Sequence, residues 1–202
     1  MEGQNRVLKL QEKWNQRYLD AQEPGQATAV LAENQHLLPG QGKALDLASG
    51  LGANAILMAN QGLQVEAWDL SDVALQKLQL FAKQADLQIT TELRDVEAYP
   101  PKQELFDVIV VSHFLDRRTI PNLIDALKPE GIIYYQTFSQ IKVDPDIGPS
   151  SARFTLAENE LLLLFSALKV LVYREEGRVG DKNRGFRNEV MLVAQKNKGR
   201  NL

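Results

Sequence analysis

From Lys43 to Phe138 short apolar runs alternate with longer amphipathic stretches, a pattern that predicts strand after helix after strand. "KALDLAS" reads as a strand and "NAILMANQG" as a helix stopped by Gly62. "QVEAWDL" is a second strand, and "DVALQKLQLFAKQA" is a helix capped by Ser71. "QITTELRDV" and "FDVIVVSHF" follow as the third and fourth strands. The apolar run of the fourth suits a strand buried on both faces of a parallel sheet. The helix "IPNLIDALKPEG" is expected to close on Pro129 and Gly131, ahead of a fifth strand, "IIYYQTF". Strands alternating with helices imply βαβ units around a parallel sheet.

The two ends of the chain break this rhythm. Between Arg6 and Asp20, Val7, Leu8, Leu10, Trp14, Tyr18 and Leu19 recur at helical spacing. "EPGQ" at 23–26 interrupts that helix, and "TAVLAENQHLL" predicts another, stopped by "PGQG" at 39–42. Near the carboxyl end, Thr155 and Glu158 have capping-box spacing ahead of "LLLLF". "LKVLVYREE" and "RNEVMLVAQK" then read as strands joined by the polar link "GRVGDKNRGF". With no helix between them they should pair antiparallel. The expectation is one α/β domain over residues 1–202, with a core at 41–197 and a flexible tail at 198–202.

Composition narrows the function classes. A chain of 202 residues with 44% hydrophobic content can bury one core. A net charge of −3 and the lack of a basic block argue against a nucleic-acid partner. There is no cysteine, so disulfides, thiolate metal sites and a cysteine nucleophile are excluded. The two histidines, His36 and His113, show no metal-ligand spacing, and no metal is expected. "MEGQNRVLKLQEKW" lacks the apolar core of a signal peptide, and no apolar run approaches the ~20 residues of a membrane span. A cytoplasmic protein without a membrane partner is the expectation.

Chemistry concentrates in "LDLASGLGANA", from Leu45 to Ala55. Gly50, Gly52 and Ala55 spell G-x-G-x-x-A, and such a loop beside the first strand belongs at the ligand crevice of an open sheet. Glycines let the backbone approach a ligand, and the following helix start offers free N–H groups. Asp46 would repel a pyrophosphate there and would attract an ammonium. Asp69 ends the second strand, where an acid can bind a ribose diol. Asp95 ends the third, where it can accept from an adenine amine while the Val96 N–H pairs with the ring. The loop taken alone leaves a nicotinamide dinucleotide and a methyl donor both open.

The segments "LDLASGLGANA", "VEAWDLS", "LRDVEAY", "FDVIVVSHFLDR" and "ALKPEGIIYYQTF" resemble class I S-adenosylmethionine-dependent methyltransferases in order and spacing. Within that superfamily, "AWD" at 67–69, "TIPNLI" at 119–124, "ARFTLAENELLLLF" and "NRGFRNEVMLVAQ" are similar to the tellurite-resistance type of small methyltransferase. The resemblance runs from about Trp14 to Lys196. It implies a Rossmann-like, mostly parallel, twisted sheet of seven strands with a C-terminal antiparallel hairpin and helices on both faces. It implies S-adenosylmethionine as cofactor, with residues 1–40 a helical cap over it. A nicotinamide-dependent oxidoreductase on a Rossmann fold and a non-catalytic module that binds S-adenosylmethionine are the alternatives.

The resemblance also implies roles for individual residues. Asp46, Ala48, Ser49, Gly50, Leu51, Gly52 and Asn54 would hold the methionyl end. Asp69 and Leu70 would meet the ribose, and Asp95 and Val96 the adenine. Ser112 and Phe114 would line the cleft, and Trp14, Arg17 and Tyr18 would fold over the cofactor. His113, after the fourth strand, is the candidate general base for an oxygen or nitrogen nucleophile. Tyr135, Arg153, Arg184 and Arg187 are candidates to meet the substrate, a small thiol or a chalcogen oxyanion of tellurite or selenite type. A monomer or weak homodimer is expected. Several positions depart from the family pattern: Ala48 replaces its first glycine, Ser49 a frequent cysteine, and Gln136 the glutamate of "ETF". Leu51 and Ala53 stand where relatives often carry Glu and Arg. An alanine at 48 requires a negative φ.

Overall fold

The computed structural model describes residues 2–198, so the expected tail beyond Lys198 lies outside the described residues. The strands are β1 (Lys43–Leu47), β2 (Gln64–Asp69), β3 (Ile89–Leu93), β4 (Phe106–Ser112), β5 (Leu127–Phe138), β6 (Lys169–Arg174) and β7 (Glu189–Gln195). They form one seven-stranded sheet in the order β3-β2-β1-β4-β5-β7-β6. The first five strands run parallel, and β7 pairs antiparallel with both β5 and β6. The predicted architecture and the closing hairpin are both present.

Alternation along the strands builds two cores, one on each face of the sheet. Leu45, Leu47, Ile109, Val111, Ile133 and Tyr135 pack on one face with Leu123 of α5 (Ile120–Ala126) and Leu161 of α6 (Glu160–Leu164). Ala44, Val108, Val110 and Tyr134 pack on the other with Val30 of α2 (Ala29–Ala32), Met58 of α3 (Ala53–Asn60) and Leu78 of α4 (Asp72–Gln84). Ser71 caps α4 as expected, its Oγ accepting the Ala74 N–H at 3.1 Å. The long α1 (Glu2–Tyr18) lies against α4, where Gln11 and Asn15 donate to Asp72.

Three local expectations are corrected. The helix expected over 28–38 is only the single turn α2 followed by a 3-10 turn at Gln35–Leu37. Asn34 donates its side-chain amide to the Val30 carbonyl, and that local competitor ends the helix. The helix expected to reach Gly131 stops at Ala126, and Leu127–Gly131 already belongs to β5 beside a register shift between Phe106 and Val108. Thr155 and Glu158 form no capping box: the Thr155 hydroxyl donates to the Ser151 carbonyl, while Glu160 accepts the Ala157 N–H at 2.8 Å.

Candidate active site

The carboxyl ends of β1 and β2 hold the glycine loop by means of two buried acids. Asp69 accepts the Gly50 N–H through Oδ2 and the Ser71 N–H through Oδ1, both at 2.8 Å. One carboxylate therefore fixes the loop after β1 and the start of α4 together. Asp46 is fully buried, and its Oδ2 accepts the Ala55 N–H at 3.0 Å at the start of α3. Its Oδ1 has no hydrogen-bond partner among the described residues, and neither does the Ser49 Oγ. Burial pushes the Asp46 carboxyl up to about 8, against the pull of the Ala55 N–H and the nearby Asn54 amide. Burial also raises Asp69, opposed by the Ser71, Gly50 and Leu70 N–H groups.

The loop conformation corrects one expectation. Ala48 adopts φ +56 rather than a negative value, so an L-residue occupies the left-handed region. Its side chain packs against the core, which holds it in a conformation costing of order 1 kcal/mol. Gly52, at φ +78, has no such latitude. A Cβ there would meet Leu78 Cδ1 at 2.3 Å, and Leu78 is fully buried.

Above the loop stand residues of α1. The Tyr18 hydroxyl lies 2.8 Å from where a Cβ on Gly50 would be, and Lys77 of α4 donates to the Tyr18, Leu19 and Ala21 carbonyls. Burial first, then the neighbouring Asp69, drives the Tyr18 hydroxyl up to about 12, so it remains a neutral donor. Trp14 stacks near Tyr18 with centroids 6.3 Å apart, and Arg17 is exposed with its guanidinium 5.9 Å from the Trp14 ring. A second tether joins the amino-terminal segment to the sheet. Asn54 Oδ1 accepts from the Thr28 N–H and hydroxyl at 2.9 and 3.0 Å, and its amide donates to Ser112 Oγ at 3.1 Å.

Asp95 is half-buried after β3, its Oδ1 accepting from the Glu97 and Ala98 N–H groups, with Val96 buried beside it. Leu51 and Leu70 are half-buried at the same rim. Phe114 is half-buried against the core, and its carbonyl accepts the Tyr135 hydroxyl at 2.8 Å. That bond corrects the expectation for Tyr135, which is fully buried with its ring 5.3 Å from Phe165 and presents nothing to a substrate.

The arginines divide. Arg187 spends its guanidinium on five carbonyls, those of Arg184, Glu176, Gly177, Val179 and Asp181, at 2.6–3.3 Å. It organises the link between β6 and β7 and has no donor left for an anion, which corrects its assignment as a substrate ligand. Arg184 is exposed on that link, and Arg153 is exposed with its guanidinium 5.3 Å from the Phe154 ring.

His113 stands at the end of β4 with φ +54, and its ring lies 4.9 Å from that of Phe138. Its Nε2 lies 3.1 Å from Glu189 Oε1. The other carboxylate oxygen of Glu189 accepts the Gln136 amide at 2.5 Å, and Gln136 Oε1 accepts the Val30 N–H at 2.7 Å. Glu189 was not singled out from the sequence, and Gln136 was noted only as a departure from the family's glutamate. An open cavity of about 740 Å³ lies alongside, lined by Gln136, Val143, Phe186, Asn188 and Glu189 among others.

Comparison with known proteins agrees with this fold. Residues 16–191 match the family described as "Tellurite resistance protein TehB". TehB from Haemophilus influenzae superposes with a TM-score of 0.65 at 26% identity, covering 83% of this chain and 61% of that one. A SAM-dependent methyltransferase from Methanosarcina mazei superposes with a TM-score of 0.65 at 19% identity over 87% of this chain and 100% of that one, a likeness of fold. YqeM of Bacillus subtilis (strain 168), provisionally named a methyltransferase, is 29% identical over 117 residues, 52% of this chain and 46% of that protein. The chain thus spans about half the length of YqeM and under two thirds of the Haemophilus protein.

Proposed function

The chain belongs to the tellurite resistance protein TehB family and has the fold of S-adenosylmethionine-dependent methyltransferases, and on that premise we propose that it transfers a methyl group from S-adenosylmethionine to a small molecule. The observation that carries this reading is the Oδ1 of fully buried Asp46, which with the Ser49 Oγ three residues on has no hydrogen-bond partner among the described residues. Two such acceptors fit an ammonium, since a cation returns Asp46 to its charged form at neutral pH. A pyrophosphate would find no positive charge there and would hold Asp46 in its protonated form.

In this reading Asp46 and the backbone of residues 48–54 hold the methionyl end. Asp69, held by the Gly50 and Ser71 N–H groups, takes the ribose diol on its remaining lone pairs. Asp95 and Val96 meet the adenine, with Leu70, Ser112 and Phe114 along the wall. Residues 1–40 act as the cap: Trp14, Arg17 and Tyr18 close over the cofactor while Asn54 and Lys77 tether the segment behind them. S-adenosylmethionine supplies a methyl group already activated on a sulfonium. The protein's task is then alignment in a site shielded from water. The acceptor is a small thiol or a chalcogen oxyanion of tellurite or selenite type.

Incubation with methyl-labelled S-adenosylmethionine and a panel of small thiols, amines, tellurite and selenite tests the proposal. Label should move to at least one acceptor, and Asp69→Ala should abolish or greatly slow the transfer. Label that stays on the donor with every acceptor contradicts it.

A further inference from the structure

The contacts of Glu189 carry an inference that rests on the proposed methyl transfer and narrows its acceptor. From the His113–Glu189–Gln136 chain of contacts we infer that Glu189 is the positioning residue through which the candidate base His113 acts, and that the acceptor carries a proton on its nucleophilic atom. Four observations support this.

Glu189 can only accept, so the proton of the neutral imidazole sits on Nε2, and Nδ1 carries the lone pair. Gln136 fixes the carboxylate from the other side. Its Oε1 is committed to the Val30 N–H, which can only donate, so its amide must face Glu189. The same contact gives the Gln136 departure from the family's glutamate a physical reason. A glutamate at 136 would set two carboxylates against each other, whereas the amide stabilises Glu189 in its charged form. The third observation is His113 itself, a non-glycine residue at φ +54 with its ring held between Glu189 and Phe138. The fourth is location: His113 ends a central parallel strand at the edge where such sheets bind ligands, and Glu189 and Gln136 line the open cavity beside it.

The acceptor heteroatom loses its proton to His113 Nδ1, and the freed electron pair forms the bond to the methyl carbon. The pair of the broken carbon–sulfur bond goes to sulfur. The imidazolium so formed is stabilised by Glu189, and its proton passes to solvent, for His113 is exposed. An acceptor already ionised, such as tellurite, gains nothing from this arrangement; a thiol, amine or hydroxyl does.

One readout needs no cofactor. The Glu189 carboxyl lies below its ordinary range although burial opposes this, because His113 and Gln136 donate to the carboxylate, and His113 is the one titratable group among the causes of that shift. Carbon-13 titration of Glu189 should therefore move to higher pH in His113→Gln. In turnover with a small thiol at neutral pH, His113→Gln should lose roughly 100-fold in kcat, within the ordinary range for a general base. Glu189→Gln should lose roughly tenfold or more, through misorientation of the imidazole. Binding of S-adenosylhomocysteine should be unchanged in both variants, which separates this test from the cofactor reading: failure of that reading appears as loss of binding in the wild type. The inference is overturned if Glu189 titrates alike with and without His113. It is also overturned if His113→Gln methylates the thiol at the wild-type rate, or if the wild type methylates tellurite but no proton-bearing acceptor.

Discussion

The two ends of the candidate site are built by different kinds of bond. At β1 and β2 the side chains serve the backbone: Asp69 and Asp46 accept N–H groups of residues 2 to 19 positions away, and those bonds shape the loop. At β4, β5 and β7 the side chains serve each other. Gln136 and Glu189 are 53 residues apart, and His113 and Glu189 are 76 apart. The first arrangement is common to a fold, because any chain with this turn needs those acceptors. The second belongs to this chain, because it depends on which side chains meet. In the proposed reading the loop end binds the cofactor and the hairpin end discriminates among acceptors.

Substitutions can break this contrast. The largest effect is expected at the loop. Gly52→Val combines a left-handed backbone with a clash against buried Leu78 and should cost about 4 kcal/mol in denaturant unfolding. At the hairpin end, Gln136→Glu should cost about 2 kcal/mol by the same measurement, because it removes the donor that Glu189 faces. It should also slow thiol methylation while leaving S-adenosylhomocysteine affinity intact. A stability loss at 136 with unchanged turnover would collapse the distinction between the two ends.

A smaller effect concerns pH. Burial holds Asp46 in its protonated form up to about 8 in the folded chain, whereas the unfolded chain releases that proton near its ordinary value. An acid with a raised folded pKa takes up protons on folding, so its contribution weakens as pH rises between those values. Asp46→Asn keeps an acceptor for the Ala55 N–H and removes the titration. Its stability relative to the wild type should improve by about 2 kcal/mol between pH 5 and pH 7. Equal curves would show that Asp46 is ionised throughout. The smallest effect is at the strained alanine. Ala48→Gly relieves φ +56 but frees the unfolded chain, for a net gain below about 1 kcal/mol in thermal unfolding.

Legibility in the sequence follows the same division. Alternation of apolar runs gave all seven strands, because buried parallel strands and a helix-free link leave a periodic record. The acids at 46 and 69 were readable because their places in a strand-turn-helix unit are local. The 28–38 helix failed where a single asparagine amide outbid the next turn, which periodicity does not register. Ala48 misled because packing, rather than propensity, sets its φ. Arg187 is a candidate anion ligand in the sequence, which does not show the five carbonyls that occupy it, and nothing in the sequence marks Glu189 as the partner of a histidine 76 residues away. Gln136 was the one signal of the hairpin network in the sequence, visible as an amide where an acid was expected.

The central claim, that the glycine loop with Asp46 and Asp69 binds the methyl donor, is tested most directly by titrating S-adenosylhomocysteine into the wild type and Asp69→Ala in a calorimeter. The account predicts saturable binding by the wild type and affinity weaker by about 1–3 kcal/mol in the variant. No binding by the wild type at high micromolar ligand, or equal affinity in the two proteins, would contradict it.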